Sequence, residues 1–79
     1  MDQEIIDTVR ADTLEVGDTI QFWDGDESRG LLQIKDIYEE PSSKAYPDGF
    51  YTITSEEEDE NYFLPDAMVS IYGYAVVEV

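Results

Sequence analysis

The chain has 79 residues, enough for one domain with a single compact core, and it contains no Cys and no His. Those two absences exclude disulfides, thiolate and imidazole metal sites, and nucleophiles activated by His. With 20 acidic and 4 basic residues the formal net charge is −16 at pH 7, a sign that disfavours direct contact with nucleic acid and with anionic membranes.

The composition favours a folded, monomeric protein. Apolar residues make up 42% of the chain, which is sufficient to build a core despite the charge. Repulsion between like-charged copies favours a monomer. The first residues lack the basic and apolar regions of a signal peptide, and no run approaches the roughly 18 apolar residues of a membrane span. We therefore expect a cytoplasmic protein.

The start of the chain predicts a strand followed by a turn. We interpret residues 1–7 as a flexible lead-in, and the alternation of polar and apolar residues over 8–11 predicts a strand. Residues 12–18 predict a compact turn. The alternative for this segment is a very short helix that is capped by Asp12 and ended by Gly17.

Two strong strands follow. Residues 19–23 alternate so that two apolar side chains point inward and Trp23 points outward. Residues 24–30 are turn-forming throughout. Residues 31–38 predict the next strand, and a break in the phase of its apolar residues predicts a β-bulge near Lys35.

The second half of the chain predicts shorter strands. Two Pro and two Ser within residues 39–48 predict a loop. The elements expected after it are a strand at 50–54, an acidic connection at 55–60, a strand at 61–64, a single helical turn at 65–68, a strand at 69–72, and a last strand or tail at 74–79. Short strands at a spacing of about 8–12 residues are typical of a small all-β sandwich or barrel, here one domain over 1–79.

Two segments carry a resemblance to a known fold: Val9-x-Ala11-x-x-Leu14-x-x-Gly17-Asp18-x-Ile20 and Phe63-Leu64-Pro65-Asp66-x-x-Val69-x-Ile71. They resemble the first turn, and the helical turn before the last strand, of SH3-like barrels. The resemblance implies a small barrel of five to six antiparallel strands. Small acidic proteins of this pattern are similar to uncharacterised proteins of actinobacterial phages, which implies the host cytoplasm as location. Because a fold does not fix a function, no functional residue is carried over.

The turn after Trp23 begins like a calcium loop. Asp24, Asp26 and Ser28 alternate as the first ligands of such a loop do. The sixth position is Arg29 instead of Gly, and the twelfth is Lys35 instead of a bidentate Glu. We therefore interpret the segment as an acidic hairpin turn, and we predict no metal and no cofactor.

The densest charge is the acidic run at 56–60. It is either a solvated hairpin tip or an anionic projection that contacts Lys and Arg of a partner. Duplex DNA carries one charge per about 1.7 Å of its axis, so a rigid acidic surface can imitate it. Trp23 is either an exposed interface anchor or buried at one end of the barrel. The predicted partner-binding residues are Trp23, Asp24, Asp26, Glu27, Glu56, Glu57, Glu58, Asp59 and Glu60.

These features predict a non-catalytic interaction module. With 20 acidic residues, any one pair of carboxylates is uninformative, and so short a chain rarely holds a substrate cleft, so we expect no enzyme and no catalytic residues. The acidic surface predicts a basic protein partner, with this chain acting as a DNA mimic in a phage or accessory role. The alternative is a structural or accessory domain whose acidity reflects solubility or a high-salt environment.

Overall fold

One antiparallel sheet of six strands accounts for most of residues 3–74, the part of the chain that the computed structural model describes. The strands are β1 (Glu4–Arg10), β2 (Thr19–Asp24), β3 (Glu27–Glu40), β4 (Phe50–Ser55), β5 (Glu60–Phe63) and β6 (Met68–Gly73). Their order in space is β1-β6-β2-β3-β4-β5. The prediction of an all-β fold with up to six antiparallel strands is confirmed.

The sheet is not closed into a barrel, which corrects the closure expected from the sequence. Within residues 3–74, β1 pairs only with β6 and β5 pairs only with β4, so both are edge strands. Moreover, β6 is paired with β2 at a single position, Thr19 opposite Tyr72. Beyond that position the outer edge of β2 has no strand partner among the described residues, although β5 packs against β2.

The long strand β3 joins the two halves of the sheet. Residues 27–33 pair with β2, and residues 34–40 pair with β4. The register shifts between Ile34 and Asp36, which confirms the bulge predicted near Lys35 and lets the strand bend. The turn predicted over 24–30 is shorter in the structure, only Gly25–Asp26, because a second register shift takes Ser28 to Gly30 into the ladder.

The hydrophobic core lies where the two halves of the sheet face each other. Four side chains from β2, β3 and β4 are almost fully buried, namely Ile20, Phe22, Ile34 and Ile53, and they are joined by Ala11, Leu14 and Val69. Full burial of an aliphatic or aromatic side chain contributes about 1.5–3 kcal/mol. The inward phase predicted for β2 is therefore the one that builds the core.

A short helix lies near the N-terminus, and it differs from the predicted one. The 3₁₀ helix Ala11–Thr13 starts before Asp12, which makes no capping bond. The carboxylate of Asp12 instead accepts a 2.8 Å hydrogen bond from Arg10. The helix also ends well before Gly17, so both of its predicted limits are wrong.

The helical turn predicted at 65–68 is absent. The chain forms a β-turn there, closed by a 3.0 Å hydrogen bond from the Ala67 N–H to the Leu64 carbonyl, and β6 begins at Met68. The Ala67 carbonyl accepts a 2.8 Å bond from the Ala11 N–H. This hydrogen bond links the β-turn to the 3₁₀ helix, and strand β6 follows the turn directly.

The ends of the sheet also depart from expectation. β1 begins at Glu4, inside the predicted lead-in, and β3 runs to Glu40, into the predicted loop. The strand or tail predicted at 74–79 lies outside the described residues except for Tyr74. None of the helices within residues 3–74 has the length and apolar character required to cross a membrane.

The position of Gly49, just before β4, allows a prediction of how much stability is lost when one methyl group is added there. Gly49 is buried with a φ of +76°, and a Cβ there would collide with the Glu40 carbonyl oxygen. We expect Gly49→Ala to lower the free energy of unfolding by about 2 kcal/mol or more in urea titrations. The control is Gly17→Ala, where φ is +99° but space is open, with an expected loss of about 1 kcal/mol. Equal losses would contradict the role given to the collision.

Tyr51 in β4 predicts a loss of stability at high pH. Partial burial raises the pKa of Tyr51 above its ordinary value of 10.0, and the charge of Glu39 adds to the rise. The folded state therefore favours the neutral phenol, so this stability is fully present below pH 10.0 and is lost as the pH rises through the folded-state pKa. In urea titrations from neutral pH to about pH 11, we expect Tyr51→Phe to lose less stability than the parent. Equal losses for Tyr51→Phe and the parent would refute the assignment.

Candidate functional site

The two acidic segments predicted from the sequence lie at the same end of the molecule. The β2–β3 hairpin and the β4–β5 turn are joined by an ion pair of 3.2 Å between Nε of Arg29 and Oδ1 of Asp59. A second ion pair of 2.6 Å joins Nζ of Lys35 in β3 to Oε1 of Glu58. Residues that are 23 to 30 positions apart in sequence are therefore brought together across β3 and the turn.

The buried hydroxyl of Ser55 fixes the shape of the β4–β5 turn. Its Oγ accepts hydrogen bonds of 3.1 Å from the N–H groups of both Glu57 and Asp59. The Ser55 N–H donates to the Asp59 carbonyl at 2.8 Å. Glu58 takes a φ of 67°, in the left-handed region that non-glycine residues rarely adopt. The turn that carries the acidic run is thus held by its own bonds.

The ion pairs divide the acidic run into paired and unpaired members. Glu58 forms an ion pair with Lys35, and Asp59 forms one with Arg29. The hydrogen bond and charge of Glu58 in turn raise the pKa of Lys35 above its ordinary value. Within the described residues, Glu56, Glu57 and Glu60 make no ion pair. The sequence predicted all five as partner-binding residues, and the structure leaves three with unpaired charge.

Asn61 of β5 binds the backbone of Trp23 at the end of β2. The Trp23 N–H donates to Oδ1 of Asn61 at 3.0 Å, and Nδ2 of Asn61 donates to the Trp23 carbonyl at 2.7 Å. One side-chain amide thereby satisfies both polar groups that a neighbouring strand would satisfy. This contact fixes Trp23 beside β5.

An open groove lies between the end of β2 and strands β5 and β6; we call it the hairpin groove. Its volume is about 770 Å³. Trp23 is 49% exposed and Tyr62 is 64% exposed, so large aromatic surface is accessible there. The lining residues that matter here are Trp23, Asp24, Glu60, Tyr62, Met68 and Tyr72. The structure thus brings three predicted residues, Trp23, Asp24 and Glu60, into one site.

The other predicted residues do not line the hairpin groove. Asp26 and Glu27 are exposed at the tip of the β2–β3 hairpin, next to Asp24. Glu56 and Glu57 are exposed on the β4–β5 turn. Trp23 is 49% exposed, so its side chain is not buried at one end of the sheet.

A second concave surface was missed in the sequence; we call it the aromatic cup, formed by Tyr46, Phe50 and Tyr62. The ring centroids of Tyr46 and Phe50 are 5.0 Å apart, and those of Phe50 and Tyr62 are 6.0 Å apart. These rings line a concave surface of about 540 Å³ with Phe63 and Leu64. The sequence does contain one signal for this surface. Phe50 alternates with Tyr51, which packs against the core, so the ring of Phe50 is expected on the opposite face of β4.

Neither groove has the features of a metal site. Across residues 3–74, no three Asp or Glu side chains converge closely enough to hold a metal ion. The segment that begins like a calcium loop forms a two-residue hairpin turn at Gly25–Asp26, so its carboxylates flank a strand pair instead of surrounding a cation.

The chain matches no protein-family model, no curated protein and no solved structure.

The contact between Asn61 and Trp23 yields a stability prediction. Asn61→Ala removes both hydrogen bonds, and since the site is partly open, water can replace them in part. We expect a loss of about 1–2 kcal/mol in the free energy of unfolding. Trp23 is the only Trp in the chain, so its fluorescence should shift to the red as the end of β2 moves into water.

The matched control for that prediction is Thr8→Ala. Thr8 is an exposed residue of β1 whose hydroxyl makes only a long contact of 3.5 Å with Ser70. It should change neither the fluorescence nor, beyond about 0.5 kcal/mol, the stability. An unshifted emission in Asn61→Ala would show that the amide does not position Trp23.

Proposed function

We propose that this protein is a non-catalytic interaction module that binds a basic protein partner through the hairpin groove. The observation that carries the proposal is that Trp23, Asp24 and Glu60 line the same open groove. Aromatic residues at the centre of a contact with charges at its border are the usual anatomy of a protein interface. Cationic side chains of a partner would complement the carboxylates of Asp24 and Glu60.

The division of labour between charge and aromatic surface follows from the exposure of the groups. Single exposed ion pairs contribute roughly 0–1 kcal/mol each, so the carboxylates mainly attract and orient the partner. The net charge of −16 adds a long-range field that accelerates the encounter and that salt screens. The accessible surface of Trp23 and Tyr62 then supplies the short-range affinity.

We further propose that the partner is a nucleic-acid-binding protein and that binding competes with DNA. The unpaired carboxylates of Glu56 and Glu57 lie on the β4–β5 turn, and that of Glu60 lies at the start of β5, beside the hairpin that carries Asp24, Asp26 and Glu27. These carboxylates would form ion pairs with the Lys and Arg side chains of the partner that otherwise bind the phosphates of DNA. Glu58 and Asp59 take a smaller part, because each already forms an ion pair within the chain.

Charge reversal at the groove tests the proposal. The variant Asp24→Lys/Glu60→Lys changes two exposed carboxylates at the groove, and Glu4→Lys/Glu15→Lys makes the same change in net charge elsewhere. With each protein immobilised, we expect the groove variant to lose capture of the basic partner from a host lysate by at least about tenfold. The control variant should lose about twofold or less. Equal losses would mean that overall charge, not this site, drives capture.

Duplex DNA added as a competitor tests the DNA-mimic part of the proposal. If the captured protein holds this chain in its DNA groove, DNA should abolish capture, and capture should fall steeply between about 50 and 200 mM salt. Capture that resists DNA would leave a basic partner but refute mimicry. Absence of any capture above background would refute the proposed function and favour a structural or environmentally acidic domain.

A further inference from the structure

We propose that the aromatic cup of Tyr46, Phe50 and Tyr62 binds an arginine side chain of the basic partner. This inference rests on the proposed function and adds a second contact to it, because Tyr62 borders both the hairpin groove and the cup. The partner segment would then cross from the carboxylates of the hairpin groove to the rings. The inference thus assigns an arginine of the partner to a site that the charge pattern alone does not identify.

The geometry of the rings suits a flat cation. The planes of Tyr46 and Phe50 are inclined at 55°, and those of Phe50 and Tyr62 at 72°, so the three rings form a concave surface instead of a flat stack. Tyr46 is 46% exposed and Tyr62 is 64% exposed, which leaves ring surface available to a ligand. Aromatic faces attract cations within about 6 Å of the ring centroid.

The cup is held in place before any partner arrives. Within the loop that precedes β4, the Tyr46 carbonyl accepts hydrogen bonds of 2.9 Å from the N–H groups of both Ser43 and Gly49. The Tyr46 N–H donates to Oγ of Ser43 at 3.1 Å. Phe50 and Tyr62 project from the paired strands β4 and β5. A site built in advance loses less entropy when it binds its ligand.

The carboxylate of Glu60 contacts a ring residue of the cup, and this charge favours a cationic occupant over an apolar one. Glu40 lies directly across the strand pair from Phe50. Glu60 accepts a 3.3 Å hydrogen bond from the Tyr62 hydroxyl, and Asp48 lies in the loop between Tyr46 and Phe50. A second copy of this chain is an unsuitable occupant, because two molecules of charge −16 repel each other.

Arginine fits these groups better than lysine. Its planar guanidinium stacks on aromatic faces while its N–H groups donate to carboxylates at the edge, whereas the lysine ammonium is a strongly hydrated point charge. The cup supplies the aromatic faces, and Glu60, which accepts a hydrogen bond from the Tyr62 hydroxyl, supplies a carboxylate next to them. The segment that carries this arginine must be extended or project from its own fold to reach a concave site.

A double-mutant cycle tests the inference. The probes are two short lysine-rich peptides that are identical except for one central residue, which is arginine in one and its neutral isostere citrulline in the other. The protein variant is Tyr46→Leu, which retains an apolar side chain and the three backbone hydrogen bonds of residue 46 but removes the ring. Affinities come from chemical-shift titrations, which also identify the residues that the peptide contacts.

We expect the effects of the protein substitution and of the peptide substitution on binding affinity to be non-additive. Tyr46→Leu should weaken the arginine peptide by about threefold to thirtyfold and leave the citrulline peptide unchanged. Tyr74→Leu is the matched control, an exposed tyrosine that lines neither groove, and it should affect neither peptide. Equal losses for both peptides in Tyr46→Leu, or none for either, would overturn the arginine site.

The titrations separate this inference from the proposed function. If both peptides bind the parent and shift the resonances of Trp23 and Asp24 but not those of Tyr46 and Phe50, the hairpin groove stands and the arginine site falls. If neither peptide binds the parent at millimolar concentration, the proposed function falls as well. Shifts at Tyr46 and Phe50 with the arginine peptide alone would support both.

Discussion

The fold depends on one strand that serves two ladders. β3 has 14 residues, of which the first half pairs with β2 and the second half with β4. The register shift at Ile34 to Asp36 bends the strand there, and Ile34 itself is 2% exposed at the bend. Because both halves of the sheet continue from this strand, their inner faces meet over one core. The β2–β3 hairpin and the β4–β5 turn then lie together at one end, which creates the hairpin groove.

Charge in this protein is arranged by the few cations as much as by the many anions. Of the four basic residues, Arg10, Arg29 and Lys35 each bind a carboxylate within the chain. Arg29 and Lys35 both act on the β4–β5 turn, so they offset charge where repulsion would be greatest and secure that turn to β3. The carboxylates left beside Trp23 and Tyr62 are therefore a selected subset of the acidic residues, placed where aromatic surface is also accessible.

Sequence patterns with a short range predicted the strands well and the site only in part. Alternation over residues 19–23 gave the outward phase of Trp23, and the break in phase after Ile34 gave the bulge. Nothing local indicated that Glu58 and Asp59 would be paired, since their partners are 23 and 30 residues away. The position of Tyr46 depends on hydrogen bonds inside a loop whose composition predicted only irregular structure. The barrel closure failed for a similar reason, because β5 meets β2 through one side-chain amide and not through a ladder.

Among residues 3–74 no strand pairs with the outer edge of β1, and this has a consequence for solubility. Edge strands with exposed apolar residues can recruit strands of other molecules, and Ile5 and Ile6 are both more than half exposed. Two features oppose such recruitment: the register shift between Ile5 and Asp7, and the repulsion between copies of charge −16. In about 1 M salt the Debye length falls to about 3 Å, so the second of these is largely removed. The bulge then remains as the barrier to growth of the sheet from one molecule into the next.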